Sequence, residues 1–225
     1  QACFDVADGP DALEPALLRI CREAEAAVDS GSALIIISDA AAGESLAPIP
    51  MLLAVSAIQQ HLIRTGKRLL CSIIADAGDV REDHHFACLL GFGASMIHPR
   101  LAFTSIAALC ESQGKDPEPA LGKYKKAIES GILKIMAKMG IAVLHSYRGA
   151  QLFEAVGISR AVIDTHFEGT PWRLGGLGLR EIATDQLRFH AEAYATAADL
   201  AADRSLPDRG IYRFRKGGEH HTNNP

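Results

Sequence analysis

The sequence has no C-x-x-C pair. Its five cysteines, Cys3, Cys21, Cys71, Cys88 and Cys110, are odd in number and widely spaced. That argues against a disulfide framework and against a zinc or iron–sulfur site built within the chain. Cys71 and Cys88 lie in apolar runs and are expected to be small buried thiols; a reducing cytoplasm suits them. Positive charge is not in excess either. The 23 Lys and Arg against 27 Asp and Glu leave a net charge of −4, which is no footprint for nucleic acid. No apolar run approaches the roughly 20 residues that cross a bilayer, and no basic-then-apolar leader opens the chain, so neither a membrane nor secretion is expected. No G-x-S-x-G elbow raises a nucleophilic serine. The Gly-rich stretch Gly169 to Gly178 lacks both the Lys-Ser/Thr of a P-loop and the spacing of a dinucleotide fingerprint. It reads as a tight loop that lets backbones approach closely, with Trp172 as an anchor for a neighbouring domain.

What is present suits a globular α/β chain. The 225 residues, 48% of them apolar, are enough for one sizeable core. Asp11 to Ser30 and Met51 to Thr65 repeat apolar residues at helical spacing. Ala33–Ile37, Leu69–Ile74 and Ser95–Ile97 are short apolar runs of strand type, separated by the Met51 helix and by a helix over Arg81–Gly91. Residues 1–10 and 40–50 read as irregular, the latter because of Pro48 and Pro50. Helices follow over Leu101–Cys110, Ser159–Phe167 and Leu179–Ala201, the last with Ala197 on its apolar face, and a tail covers Arg204 to Pro225. Strands alternating with helices imply parallel pairing through helical crossovers. The alternation suits either an incomplete barrel or a small open sheet.

The stretch Lys123 to Ser159 reads as helix, strand, helix. Tyr124, Ile128, Ile132, Ile135, Met136 and Met139 line one helical face. Gly131 weakens the middle of that run, so a break there is an alternative, and Gly140 ends it. Ile141–Leu144 is expected as a fourth buried strand, with Ser146 as N-cap of a helix over Gly149–Val156.

Several residues are candidates for chemistry. Asp76 and Asp79 follow a strand's carboxyl end, where α/β folds place active residues. They suit an acid–base pair, or more simply a turn and an N-cap. Ser146, Tyr147 and Arg148 suit a phosphate or carboxylate seat, or more simply a cap and an interdomain contact. His84 and His85 point about 100° apart on a helix and fit a hydrogen-bonding role better than one metal. Arg81 and Glu82 suit pairing with a neighbouring segment.

Two motif blocks carry a resemblance. One is the run of Met139, Gly140, Ile141, Ser146, Tyr147, Gly149, Ala150, Gln151, Phe153 and Glu154. The other joins Gly78, Arg81, Glu82, His84, His85 and Phe86 to Gly91, Phe92, Gly93, Ala94, Pro99, Leu101 and Ala102. Phe167, Gly169, Thr170, Pro171, Arg173, Gly175 and Gly176 extend it, as do Arg213, Gly218, Glu219, His221 and Pro225. Together they resemble the large subunit of glutamate synthase over essentially the whole chain, in that family's order. His98 and Arg100 depart from the pattern, Arg100 standing where the family has a tyrosine, and Ser45 to Pro48 match loosely. The resemblance implies the end of the central domain at 1–204 and the start of the FMN-binding domain at 205–225, cut from a longer polypeptide. It implies a parent oxidoreductase that makes L-glutamate from L-glutamine and 2-oxoglutarate, with FMN and an iron–sulfur cluster held elsewhere. Its partners would be the amidotransferase and FMN domains, and an NADPH-oxidising small subunit or ferredoxin. No catalytic, cofactor-binding or metal-binding residue is carried over; Cys3 does not match the family's nucleophile. The other reading is a free-standing small-anion-binding module or small enzyme, with its site near Asp76, Asp79 and Ser146–Arg148.

Overall fold

A computed structural model describes residues 1–194, Gly210 and residues 214–222. The chain divides into two units, Gln1–His190 and Ala191–Pro225. In the second, a turn closes from the Gly218 amide to the Arg215 carbonyl at 3.0 Å, and His221 Nε2 lies 2.5 Å from the Gly210 carbonyl. The expected helical stretch through Ala197 to Ala201, the boundary at 204/205, and Arg204, Arg213 and Pro225 lie outside the described residues.

The first unit is built on a parallel sheet of three strands, β2 (Leu34–Ser38), β4 (Ser72–Ala77) and β5 (Met96–Pro99), in the order β2-β4-β5. Before it comes α1 (Leu13–Asp29), whose Leu13, Leu17, Ile20, Ala24 and Val28 are buried at helical spacing. The crossovers are α2 (Met51–Arg64) and α3 (Asp83–Gly91). Two right-handed crossovers stepping in one direction put both helices on one face of the sheet. The burial pattern agrees. Ile35, Ile37, Ile73 and Ala75 face the helices and are buried, whereas the alternate residues Leu34, Ile36 and Met96 are each about 60% exposed. Register sets Ile36, Ile74 and Met96 side by side on that open face. The sheet is therefore open, and no barrel closes among the described residues.

Parallel sheets are normally covered on both faces, and an apolar patch of this kind marks an interaction surface. The purified 225-residue chain is expected to bind a hydrophobic dye and to self-associate. Replacing Leu34, Ile36 and Met96 together by threonine should remove most of both, read by dye fluorescence and light scattering. A monomeric wild-type chain without dye binding would contradict this.

The structure corrects several expectations. Residues 1–10 and 40–50 are not wholly irregular: β1 (Cys3–Asp5) pairs antiparallel with β3 (Leu46–Pro48). The apolar Leu69 and Leu70 belong to a 3-10 turn, Arg68–Leu70, and Leu69 is 98% exposed. The strand thus starts three residues later, at Ser72. α4 (Arg100–Ser112) precedes α5 (Glu118–Lys138), which runs unbroken through Gly131. A Cβ there would lie 2.6 Å from Asp83 Oδ2, so the glycine lets the start of α3 sit on α5. Ile141–Leu144 is not a strand, and Ser146 is not a cap. That segment is irregular until α6 (Leu144–Tyr147), whose N-cap position is Val143. No helix follows over 149–156. Instead β6 (Ala155–Ile158) pairs in parallel with β7 (Trp172–Leu177), which occupies most of the expected Gly-rich loop. Between them α7 (Arg160–His166) is capped by the Ser159 hydroxyl. α8 (Leu179–Ala193) follows. Cys88 is half-buried rather than buried.

Candidate functional site

The carboxyl ends of the three parallel strands carry a polar row. Ser38, Asp76 and His98 are register partners, each two residues after Ile36, Ile74 and Met96 and so on the same open face. Asp76 binds both neighbours. The Ser38 hydroxyl donates to its Oδ2 at 2.5 Å, and His98 Nδ1 lies 2.7 Å from its Oδ1. Burial works against ionisation of Asp76. The hydrogen bonds from Ser38 and His98, and the charges of Arg100 and His98, outweigh it and hold its pKa below the ordinary value.

Behind the row sits an ion pair. Arg100, the first residue of α4, pairs through Nη2 with Oδ1 of Asp39, and Asp39 is 4% exposed. The Gly78 amide donates to Asp39 Oδ2 at 2.7 Å. The buried carboxylate is thus met by a guanidinium and a backbone amide, the condition for keeping a charge inside. Arg100 Nε is 3.7 Å from Asp76 Oδ2, too far for a hydrogen bond, and has no other acceptor.

Chemically the row is a relay of hydroxyl, carboxylate and imidazole without an activated nucleophile. The Ser38 hydroxyl donates to Asp76 and not to His98, so the hydroxyl–imidazole contact that activates a serine is not made. Because the folded pKa of Asp76 is depressed, its contribution to stability is complete above the unfolded value of about 3.9. It is lost as pH falls through the folded value. Asp76→Asn should therefore flatten the acid limb of stability below about pH 4, measured by urea unfolding across pH. An unchanged acid limb would contradict this.

Asp79 does not share the row. Its Oδ2 accepts the Met51 amide at 3.0 Å, closing the start of α2 from another loop rather than capping the helix that follows it, whose N-cap position is Glu82. Desolvation of the carboxyl raises its pKa from the ordinary value, although the residue as a whole is exposed.

Ser146–Arg148 lie elsewhere. The Gly149 amide donates to the Gly91 carbonyl at 2.9 Å, at the end of α3 that feeds the amino end of β5. The two candidate groups therefore stand at opposite ends of the sheet and form no single site. Ser146 is exposed, and Tyr147 is buried against Ala87, Leu90 and Met136.

The two adjacent histidines turn apart. His84 Nε2 is 3.5 Å from Cys88 Sγ, and His85 Nδ1 accepts the Arg81 amide at 3.3 Å. His85 Nε2 is also 3.3 Å from Glu82 Oε1. Desolvation lowers the His85 pKa. Trp172 anchors its own unit, donating from Nε1 to the Ile158 carbonyl at 2.8 Å.

Burial lifts the thiols of Cys21 and Cys88 to about 11, so neither is poised as a thiolate. No group of three or more His, Cys, Asp or Glu that could hold a metal occurs among the described residues. The dispersed thiols do not fit an iron–sulfur cluster. No helix among the described residues is long and apolar enough to cross a membrane.

Sequence reasoning missed Ser38 and His98 as partners of Asp76, and Asp39 as the partner of Arg100. The available signal was that each of the three apolar runs ends in polar residues at its carboxyl side.

The architecture defines an open α/β domain whose polar groups gather at the carboxyl ends of parallel strands. Residues 1–159 match the model of the glutamate synthase central domain, and the chain belongs to that family. It is 47% identical over 215 residues to the glutamate synthase [NADPH] large chain of Bacillus subtilis, an alignment covering 95% of this chain. It is 42% identical over 224 residues to the corresponding large chain of Azospirillum brasilense, covering 98% of this chain. It is 41% identical over 237 residues to a chloroplastic ferredoxin-dependent glutamate synthase of Arabidopsis thaliana, covering 99%. In each case the chain spans only 14% of the relative's length.

Proposed function

We propose that this chain is the connecting central segment of a glutamate synthase large chain. In that parent, ammonia released from L-glutamine reaches 2-oxoglutarate at an FMN site, and the reduced product is L-glutamate. Support comes from the near-complete alignment with full-length synthases at 41–47% identity, in which this chain accounts for a seventh of the length. The segment serves as structure: residues 1–204 belong to the central domain and 205–225 lead into the FMN domain. It contributes no catalytic, cofactor-binding or metal-binding residue. FMN and the iron–sulfur cluster belong to other parts of the parent. The amidotransferase and FMN domains are its partners, and they cover the open sheet face. An NADPH-oxidising subunit or ferredoxin supplies electrons in the cytoplasm.

An antibody raised to this chain tests the proposal on source-cell extract. A band several times larger than 24.0 kDa is expected. Material captured by the antibody should form glutamate from glutamine and 2-oxoglutarate when given reductant. A band near 24.0 kDa without that activity would overturn the proposal and favour a free-standing module.

A further inference from the structure

Two arginines meet the same short turn without a carboxylate between them. Arg68 reaches the Gly93 carbonyl from Nη2 at 2.9 Å and the Cys71 carbonyl from Nη1 at 2.7 Å, and its Nε is taken by the Gln59 side-chain oxygen. All three acceptors are neutral. Arg148 joins the same turn through the backbone. The next residue, Gly149, donates its amide to the Gly91 carbonyl, which ties the Arg148 backbone to the turn Gly91–Gly93. Arg148 Nε is shut off from solvent and has no hydrogen-bond partner. Neither guanidinium is in an ion pair with any described residue. Desolvation lowers the pKa of Arg68, and the Arg148 charge lowers it further, so the two cations sense one another. Glu168 lies in the adjoining cleft beside Gln59, Gly91 and Gly149, but it is held by Arg64 at 3.0 Å.

Half-buried cations, one met only by neutral oxygens and the other with a buried Nε that meets none, carry an uncompensated desolvation cost. An oxyanion between them removes it, since a guanidinium fork matches a carboxylate or phosphate edge. We propose that Arg68 and Arg148, at the Gly91–Gly93 turn, form a seat for a single small oxyanion, a phosphate or a carboxylate. The seat lies at the amino end of the sheet, away from the Ser38–Asp76–His98 row, and does not depend on the parent's activity.

Thermal unfolding of the full 225-residue chain tests this, with inorganic phosphate and acetate titrated separately against potassium chloride of equal ionic strength. At roughly ten times its dissociation constant, the better anion should raise the midpoint by about 3–6 °C, and the rise should saturate. Arg148→Gln should abolish the rise while leaving the midpoint in chloride within a few degrees. Arg148→Lys should keep part of it, since the charge remains and the fork is lost. Phosphate bound well ahead of acetate identifies a phosphate-bearing ligand. Acetate bound as well as phosphate identifies a carboxylate. A linear, non-saturating response to both salts overturns the proposal, as does a rise that persists unchanged in Arg148→Gln.

Discussion

Asp39→Ala should destabilise the chain by about 3 kcal/mol, because it removes one member of a buried charge pair and strands the other. Asp39 is nearly inaccessible, and its two oxygens are used separately, Oδ1 by Arg100 and Oδ2 by the Gly78 amide. Alanine leaves that amide without its acceptor and the guanidinium with only the more distant Asp76. The Arg100 side chain keeps 34% of its surface in water, which places the expected loss at the lower end for broken buried pairs. Asp39→Asn should cost less, since its carbonyl oxygen still accepts from Gly78. Urea unfolding reads both effects, and an unchanged slope certifies that the midpoint shift is a stability change. A loss under about 1 kcal/mol for Asp39→Ala would show that the pair is not needed to hold β2, β4 and α4 together.

The second large effect belongs to Tyr147. It is 1% exposed, forms the centre of a small apolar cluster with Ala87, Leu90 and Met136, and stands edge-on to Phe153 at 6.5 Å. Truncating a buried aromatic costs about 3–5 kcal/mol, and Tyr147→Ala is expected to lose about 3 kcal/mol. Tyr147→Phe keeps the ring and should stay within about 1 kcal/mol of wild type. A local reading is available as well. The Gly149 amide, bonded to the Gly91 carbonyl, should lose hydrogen-exchange protection in Tyr147→Ala before the amides of β4 do. Protection that falls equally in both places would mean that the cluster and the sheet unfold as one.

The three parallel strands and their crossovers were legible because each is a short apolar run bounded by amphipathic helices, a pattern contained in the local sequence. The start of β4 was misplaced because Leu69 and Leu70 extend the apolar run while facing water. Its end was also set too early, at Ile74 rather than Ala77, so Asp76 was read into a turn when it is the middle of a three-strand row. The segment 141–157 was misread for a different reason. Its apolar residues Ile141, Leu144, Leu152 and Phe153 pack onto a cluster formed by α3 and α5, and that contact overrides local propensity. β6 and β7 were hidden by their glycines. Gly157 has φ +77 within β6, and a Cβ on Gly176 would collide with the Gly157 backbone. The sequence shows that a close approach exists somewhere in the Gly-rich run, but not which backbone comes close. The polar row was illegible in part because Ser38, Asp76 and His98 are 38 and 22 positions apart, and only strand register brings them level. The unpaired state of Arg148 depends on the whole surrounding structure, and no local pattern encodes it.

The bare side of the sheet has a consequence for anyone who engineers this chain. Selecting variants of the isolated piece for solubility will reward threonine or lysine at Leu34, Ile36 and Met96, because in isolation those side chains only attract other copies. Each such variant will look improved by every assay applied to the piece, and, if neighbouring domains of the parent cover that face as proposed above, will have erased their contact surface. The useful screen is therefore performed in the assembled protein, where the same three positions should be among the least tolerant of change.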